Sequence, residues 1–348
     1  MGFTYHWVLA ILMLYPKSAN SELFAKTSSY FGELASGCNL FSGEWVYDSS
    51  STHLYDSLSC PFIDSQFDCL KYGRPDKDYI NYYWKPSSCN LPRFDGVDFL
   101  RRLSGKKIMF VGDSLSLNQW NSLVCMLHAA IPNAKTTFVK ETPISHITFE
   151  EFGVTIYLYT SHYLVDVVKE AKGNVLKVDS IEEGKAWVGM DMLIFNTWHW
   201  WLHTGPKAQG WDFIQYGSTI AKDMDRLQAF SRALTTWAHW VNQNVNPSKT
   251  KAFFQGISPS HSSDCDKAHE PDKGSTDSIR PEPATVVLKN VLTMLRNPVH
   301  LLDVTALSEL RRDAHPSKYG GRAGLDCSHW CLPGLPDTWN QLSFNDVN

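Results

Sequence analysis

A serine hydroxyl becomes a useful nucleophile only where a base takes its proton and hydrogen-bond donors await the oxyanion that forms. The tripeptide Gly112-Asp113-Ser114 sits where such a serine is expected, directly after the compact apolar run Lys107 to Val111. Near the C-terminus, the segment Leu325-Asp326-Cys327-Ser328-His329-Trp330-Cys331-Leu332-Pro333-Gly334 carries a carboxylate and an imidazole three residues apart among cysteines. An aspartate that accepts the Nδ1 proton of a histidine fixes the tautomer and leaves Nε2 to act as base. Ser114, His329 and Asp326 are therefore the candidate catalytic triad. On its own, Gly-Asp-Ser is also an ordinary turn and helix cap, since Asp and Ser favour that place; the C-terminal pair is what lifts it above that.

A second pair, Asp313 and His315, offers the same chemistry, and spacing does not exclude it. Asp326 and His329 are preferred because flanking cysteines, once oxidised, would preorganise them. Asn196 closes the apolar strand Met192 to Phe195 and is the candidate oxyanion donor beside the Ser114 amide. Trp198, Trp200, Trp201 and Trp211 cluster after it, interleaved with His199 and His203. Exposed indoles suit the apolar faces of sugars, although large aromatics are more often core. Trp198, His199, Trp200 and Trp201 are thus candidate substrate contacts, as is Asn118 in the segment after the serine. The pairs Arg101-Arg102, Lys106-Lys107 and Arg311-Arg312 read as solvated faces rather than a polyanion site.

These groups need elements to carry them. Lys107 to Val111 reads as a strand, and Asn118 to Ala130 carries apolar residues at helical spacing, giving strand, sharp turn, helix. Further strands are expected at Val154 to Tyr159, Met192 to Phe195, Ala252 to Gln255 and Val299 to Val304. Helical stretches separate them, notably Thr219 to Val241 and Ala284 to Leu295. Alternation of this kind predicts a parallel sheet covered on both faces, with its ligand site beyond the carboxyl ends of the strands. Residues 38–98, dense in Cys, Pro, Tyr and Trp, read as a loop-rich, disulfide-held cap on a domain spanning 99–348. Ser258 to Pro283 reads as a long surface loop tied down by Cys265.

The chain has 348 residues, 43% of them hydrophobic, enough for a substantial core. A net charge of -4 supplies no broad cationic field, so nucleic acid is not an expected partner. The apolar run Trp7 to Tyr15, followed by small residues, makes residues 1–21 a secretory signal or a membrane anchor. Eight cysteines, an even set behind such a segment, imply oxidised pairs, and no C-x-x-C pair points to zinc. No N-x-S/T acceptor is present, because Pro247 follows Asn246.

Several longer motifs go further: Cys38-Asn39-Leu40-Phe41-Ser42-Gly43-Glu44-Trp45-Val46, Gly73-Arg74-Pro75-Asp76, Leu91-Pro92-Arg93-Phe94-Asp95, Gly112-Asp113-Ser114-Leu115, and the segment from Asp326 to Gly334. Together they make the chain, from about Cys38 to the C-terminus, resemble the trichome birefringence-like family of plant wall-polysaccharide O-acetyltransferases, related to SGNH esterases. The resemblance implies an α/β SGNH-hydrolase-like three-layer sandwich with a central parallel sheet and a disulfide-rich N-terminal cap. It implies an acetyl-enzyme on Ser114, passed from an acetyl donor to a hydroxyl of a wall polysaccharide, with no metal or organic cofactor. It also implies the disulfides Cys38 with Cys89, Cys60 with Cys125, Cys69 with Cys331 and Cys265 with Cys327, where the sequence alone allows about 105 pairings. Leu117, where many relatives carry Arg before Asn118, resembles the branch of powdery-mildew-resistance proteins and points to pectin ahead of xylan. A Golgi-lumenal or wall-secreted location follows. The same residues would also serve an acetylesterase, in which water takes the acyl group, and a wall-bridging protein without catalysis would need only the aromatic and basic surface.

Overall fold

The computed structural model describes residues 38–50, 53–261 and 264–346. The expected signal or anchor, residues 1–21, lies outside them. The described residues from Asn39 on make one compact unit.

The strands, in chain order, are β1 (Gly43–Tyr47), β2 (Tyr82–Pro86), β3 (Lys107–Gly112), β4 (Thr136–Val139), β5 (Ile144–Phe149), β6 (Val154–Thr160), β7 (Asp166–Glu170), β8 (Gly173–Lys177), β9 (Met192–Phe195), β10 (Phe213–Tyr216), β11 (Thr219–Ala221), β12 (Lys251–Gln255) and β13 (Val299–Leu302). The longer helices are α1 (Gly96–Arg102), α2 (Ser114–Ala130), α3 (Arg226–Asn244), α4 (Pro283–Leu292) and α5 (Leu335–Asp346).

Seven strands form the central sheet in the order β13-β12-β9-β3-β6-β5-β4. The first five run parallel, and β5 and β4 add to the edge antiparallel. The parallel strands are mostly apolar, with polar residues chiefly at their ends, because both faces are covered. Met109, Val111, Leu193, Phe195, Ala252 and Phe254 share one core with Phe230, Leu234 and Trp237 of α3 and Leu288 of α4. On the opposite face Ile108, Phe110 and Ile194 approach Phe99 of α1, Leu123 of α2 and Phe344 of α5. The result is the three-layer α/β sandwich that the alternation of elements predicted. Two smaller sheets, β1-β2 and β11-β10-β8-β7, complete it.

The expected strands fall where the apolar runs are, while two features differ. β4 and β5 were not foreseen, since their burial alternates or is partial and they contain no continuous apolar run. The helix expected over Thr219 to Val241 starts only at Arg226, after Asp225 caps it by accepting from the Gln228 N–H; residues 219–221 pair instead with β10. Ser258 to Pro283 is the long connection expected, with short 3-10 turns at Cys265–Lys267 and Thr276–Ser278.

Cys60–Cys125, Cys69–Cys331 and Cys265–Cys327 are bonded, with Cα separations of 5.5, 5.5 and 5.7 Å. Cys38 and Cys89 are oxidised as well, which completes the four expected disulfides. Such a set belongs to an oxidising compartment, the secretory pathway or the extracellular space. Among the described residues no helix is long and apolar enough to cross a membrane.

Candidate active site

The serine is positioned by regular structure. β3 lies between β9 and β6 and ends at Gly112, where a Cβ would come within 2.4 Å of the Ser116 Oγ and 2.5 Å of the Asn196 carbonyl. Only glycine lets the chain pass so close. Asp113 is extended and caps α2, its Oδ1 accepting from the Leu115 N–H at 2.9 Å. Ser114 is therefore the first residue of α2, in the turn whose amides have no partner within the helix. Its side chain emerges half-buried at the carboxyl edge of the sheet. Asn196 follows β9 at the same edge, where its N–H donates to the Val111 carbonyl at 3.0 Å. It is 3% exposed, and its Oδ1 is buried without a partner.

The histidine stands on chain without regular structure. His329 Nε2 lies 2.7 Å from Ser114 Oγ, and Nδ1 lies 2.8 Å from Asp326 Oδ2. With Asp326 ionised, Nδ1 carries the hydrogen and Nε2 accepts from the serine hydroxyl. Burial pushes the Asp326 carboxyl up, but the hydrogen bond and charge of His329, with N–H groups from Ser328 and His329, outweigh it and hold the group well below the usual carboxylate range. Those N–H groups reach Asp326 Oδ1 at 3.1 Å each.

Distant parts of the chain fix this segment. Asn118, one turn into α2, accepts from the Trp330 N–H at 2.8 Å and donates to the Trp330 carbonyl at 3.1 Å. Arg74 donates to the carbonyls of His315 and Asp313 at 2.9 and 2.6 Å, touches Cys331 Sγ at 3.3 Å, and pairs with Asp76. The Leu332 N–H donates to the Phe67 carbonyl at 2.9 Å, and the Phe67 ring lies against His329. Cys69–Cys331 and Cys265–Cys327 cross-link both flanks.

The rival pair does not face the serine. Asp313 is buried in an ion pair with Arg311, at 2.9 Å, and the His315 Nδ1 meets the His329 carbonyl at 2.6 Å. Arg311, read as part of a solvated basic pair, is 1% exposed and lies over the Trp45 ring; its charge is met by Asp313 rather than by water.

The aromatic cluster also departs from its reading as a sugar platform. Trp201 and Trp211 are fully buried and Trp198 is 7% exposed, and Trp198 and Trp201 pack on Phe230. Their faces are occupied by core, so they offer none to a ligand. Trp200 is half-buried and stacked on His162, with ring centroids 3.6 Å apart. His199 is buried beside the site, its ring centroid 6.3 Å from that of His329 and its Nε2 donating to the Ser258 carbonyl at 3.0 Å. Burial lowers its basicity, against the pull of Asp113. Asn118 holds the histidine segment with both ends of its amide and has neither left for a substrate.

Sequence reasoning missed Arg74 and Ser258, whose hydroxyl accepts from the Trp330 indole at 2.9 Å. The motif Gly73-Arg74-Pro75-Asp76 marked Arg74 as part of a resemblance, but its partners lie some 240 residues away.

A serine at the turn after the central strand of a parallel sheet, in line with a histidine and an aspartate, defines an acyl-ester-handling enzyme domain. The family model described as PC-Esterase, a GDSL/SGNH-like acyl-esterase family found in Pmr5 and Cas1p, matches residues 91–345, and that of the PMR5 N-terminal domain matches residues 36–90. Protein trichome birefringence-like 38 of Arabidopsis thaliana is 57% identical over 89% of this chain and 84% of its own length. Protein trichome birefringence-like 40 of the same plant is 50% identical over the full length of both. The chain belongs to the trichome birefringence-like family.

Proposed function

We propose that this protein moves an acetyl group onto hydroxyls of a plant wall polysaccharide, pectin or xylan, through an acetyl-Ser114 intermediate. The observation that carries the reading is the continuous line from Ser114 Oγ to His329 Nε2 at 2.7 Å and from His329 Nδ1 to Asp326 Oδ2 at 2.8 Å. In the first half-reaction the Ser114 proton passes to His329 Nε2 while Oγ attacks the donor's acetyl carbon. Asp326 stabilises the imidazolium, and the proton then leaves with the donor's leaving group. In the second, a sugar hydroxyl gives its proton to His329 and attacks the acetyl-serine, and Ser114 recovers its proton as the ester bond breaks. The Ser114 N–H and the Asn196 side chain are the donors for both oxyanions. The acetyl donor is a co-substrate, and the chemistry asks for no metal or organic cofactor. Residues 1–21 would direct the chain to the secretory pathway, as a Golgi-lumenal or secreted protein, with 38–98 as cap and 99–348 as acyl-transfer domain.

Purified protein is to be incubated with acetylated and deacetylated homogalacturonan and xylan, with and without an activated acetyl ester. Transfer onto the deacetylated glycan, with a mass increase of one acetyl group on Ser114 and loss of both in Ser114→Ala, is the expected result. Net acetate release with no transfer would make water the acceptor and the protein an esterase. Glycan binding unchanged in Ser114→Ala, with neither activity in the parent protein, would overturn the catalytic reading.

A further inference from the structure

Behind the segment that carries His329 lies a pair of buried histidines that the acyl-transfer reading does not use. His315 is 1% exposed, the side chain of His261 is 3% exposed, and His315 Nε2 meets His261 Nδ1 at 2.6 Å. The outer nitrogen of His315, Nδ1, lies 2.6 Å from the backbone carbonyl of His329. The outer nitrogen of His261, Nε2, lies 2.9 Å from the backbone carbonyl of Glu309. A carbonyl oxygen only accepts, so both outer nitrogens must carry hydrogen. The nitrogen-to-nitrogen contact needs a further hydrogen between the rings. Two neutral imidazoles bring one N–H each, whereas the three contacts require three. With one proton fewer, two lone pairs would face each other at 2.6 or 2.9 Å in a site closed to water.

We infer that His261 and His315 share one extra proton, and that the resulting buried monocation, by gripping the His329 carbonyl, positions the catalytic base. The second half of this inference rests on the reading of Ser114 and His329 given above; the proton count does not.

Burial opposes charge here, but the contacts around the rings favour one charge and oppose two. The His315 ring stacks on Trp330, with centroids 4.0 Å apart, an arrangement that favours a cation. The Glu309 carboxylate lies 3.9 Å from His261 Nε2. Burial pushes His315 well below its ordinary value and the charge of His261 pushes it the same way, while the His329 carbonyl and Asp326 push back and a charged His329 would oppose it. His315 therefore does not hold a charge beside an already charged His261. The nearby cations are matched elsewhere: Arg74 by Asp76, Arg311 by Asp313, and Arg312 by Asp264 and Asp272. The shared proton is held at low pH and lost as pH rises, and its loss breaks one of the three contacts. The expected activity profile has an alkaline limb, where the pair has lost the shared proton.

The test is nitrogen NMR of the full chain labelled with 15N-histidine, near neutral pH. The expected spectrum has three protonated ring nitrogens and one bare one for the pair, so that one ring, or both in exchange, reads as imidazolium. A bare nitrogen on each ring would overturn the inference, and this count in the parent protein needs neither a folded variant nor activity. In His261→Phe, kcat is expected to fall about tenfold, the effect of one lost hydrogen bond, with KM little changed and the alkaline limb gone. A uniform fall that keeps the parent's pH profile would leave a structural pair only and overturn the positioning role. Full activity in Ser114→Ala would sink the acyl-enzyme reading while leaving the proton count standing.

Discussion

The two ends of the site are built by different means. Ser114 is delivered by a strand and a helix that satisfy their own backbone hydrogen bonds, with a glycine and an aspartate as the only special residues at the turn. His329 and Asp326 ride on a segment with no ladder of its own, whose N–H and C=O groups are met by Ser317, His261, Asn118, Phe67 and Ala314, with Arg74 against the Cys331 sulfur, and whose flanks are cross-linked at Cys327 and Cys331. Buried backbone groups must be paired wherever they lie. The loop that carries the proposed base therefore takes its order from distant parts of the chain, while the proposed nucleophile takes it from its neighbours. Changes far from the histidine should thus reach it, and comparable changes near the serine helix should spend themselves on stability.

The largest effect is expected where the two ends meet. Asp326→Asn keeps the shape but turns the imidazole toward the wrong tautomer, and kcat should fall by about four orders of magnitude with KM little changed. The same residue gives a pH signature. Burial raises the Asp326 carboxyl, but His329 and the backbone N–H groups of Ser328 and His329 overcome this and hold it well below its ordinary value. A depressed carboxylate contributes stability that is complete above the unfolded value, about 4, and is lost as pH falls below it. Urea unfolding of parent and Asp326→Asn proteins should show a stability gap that is constant from about pH 7 to about pH 5 and closes below about pH 4. A gap that does not change with pH would mean that the contact is not ionic.

Next come the disulfides, which test the comparison directly. Cys60–Cys125 fastens α2, the serine's helix, across a separation of 65 residues, and Cys69–Cys331 fastens the histidine segment across 262. Loop entropy gives each about 4 to 6 kcal/mol of stability, as urea unfolding of the paired Cys-to-Ser variants would read it. Their kcat values should separate: nearly unchanged in folded Cys60→Ser/Cys125→Ser, and strongly reduced in Cys69→Ser/Cys331→Ser. Equal losses would show that cross-linking does not distinguish the two ends.

The difference between the ends also governs what the sequence revealed. Local pattern carried the serine: the apolar run before Gly112, the cap residues and the helical spacing after them are consecutive in the chain. The parallel core was legible for the same reason, and the antiparallel edge was not, since β4 and β5 alternate in burial and carry no apolar run. Asp326 and His329 were legible as a pair, three residues apart, but their supports were not. Arg74 reads locally as a turn cation, and only the fold brings it to the carbonyls of Asp313 and His315. The tryptophans failed in the opposite sense, because a cluster rich in indole and imidazole looks alike whether it faces solvent or, as with Trp198 and Trp201, packs on Phe230 of α3.

Asn118 joins the two constructions, and the smallest of these effects should appear there. It stands four residues after the serine on α2 and spends both ends of its amide on the Trp330 backbone, next to the base. Asn118→Ala leaves a buried N–H and a buried C=O unpaired, a loss of about 2 to 3 kcal/mol. The backbone strain falls on the histidine side, since α2 keeps its own hydrogen bonds. Expected results are a kcat reduced about 10- to 100-fold, KM for donor and glycan within about twofold of the parent, and a modest loss in urea unfolding. A substrate contact would behave in the reverse way, raising KM for the glycan and sparing both kcat and stability. Steady-state kinetics with the donor and the glycan varied separately therefore decide whether Asn118 acts through His329 or on the sugar, and a KM effect alone would remove it from the histidine's supports.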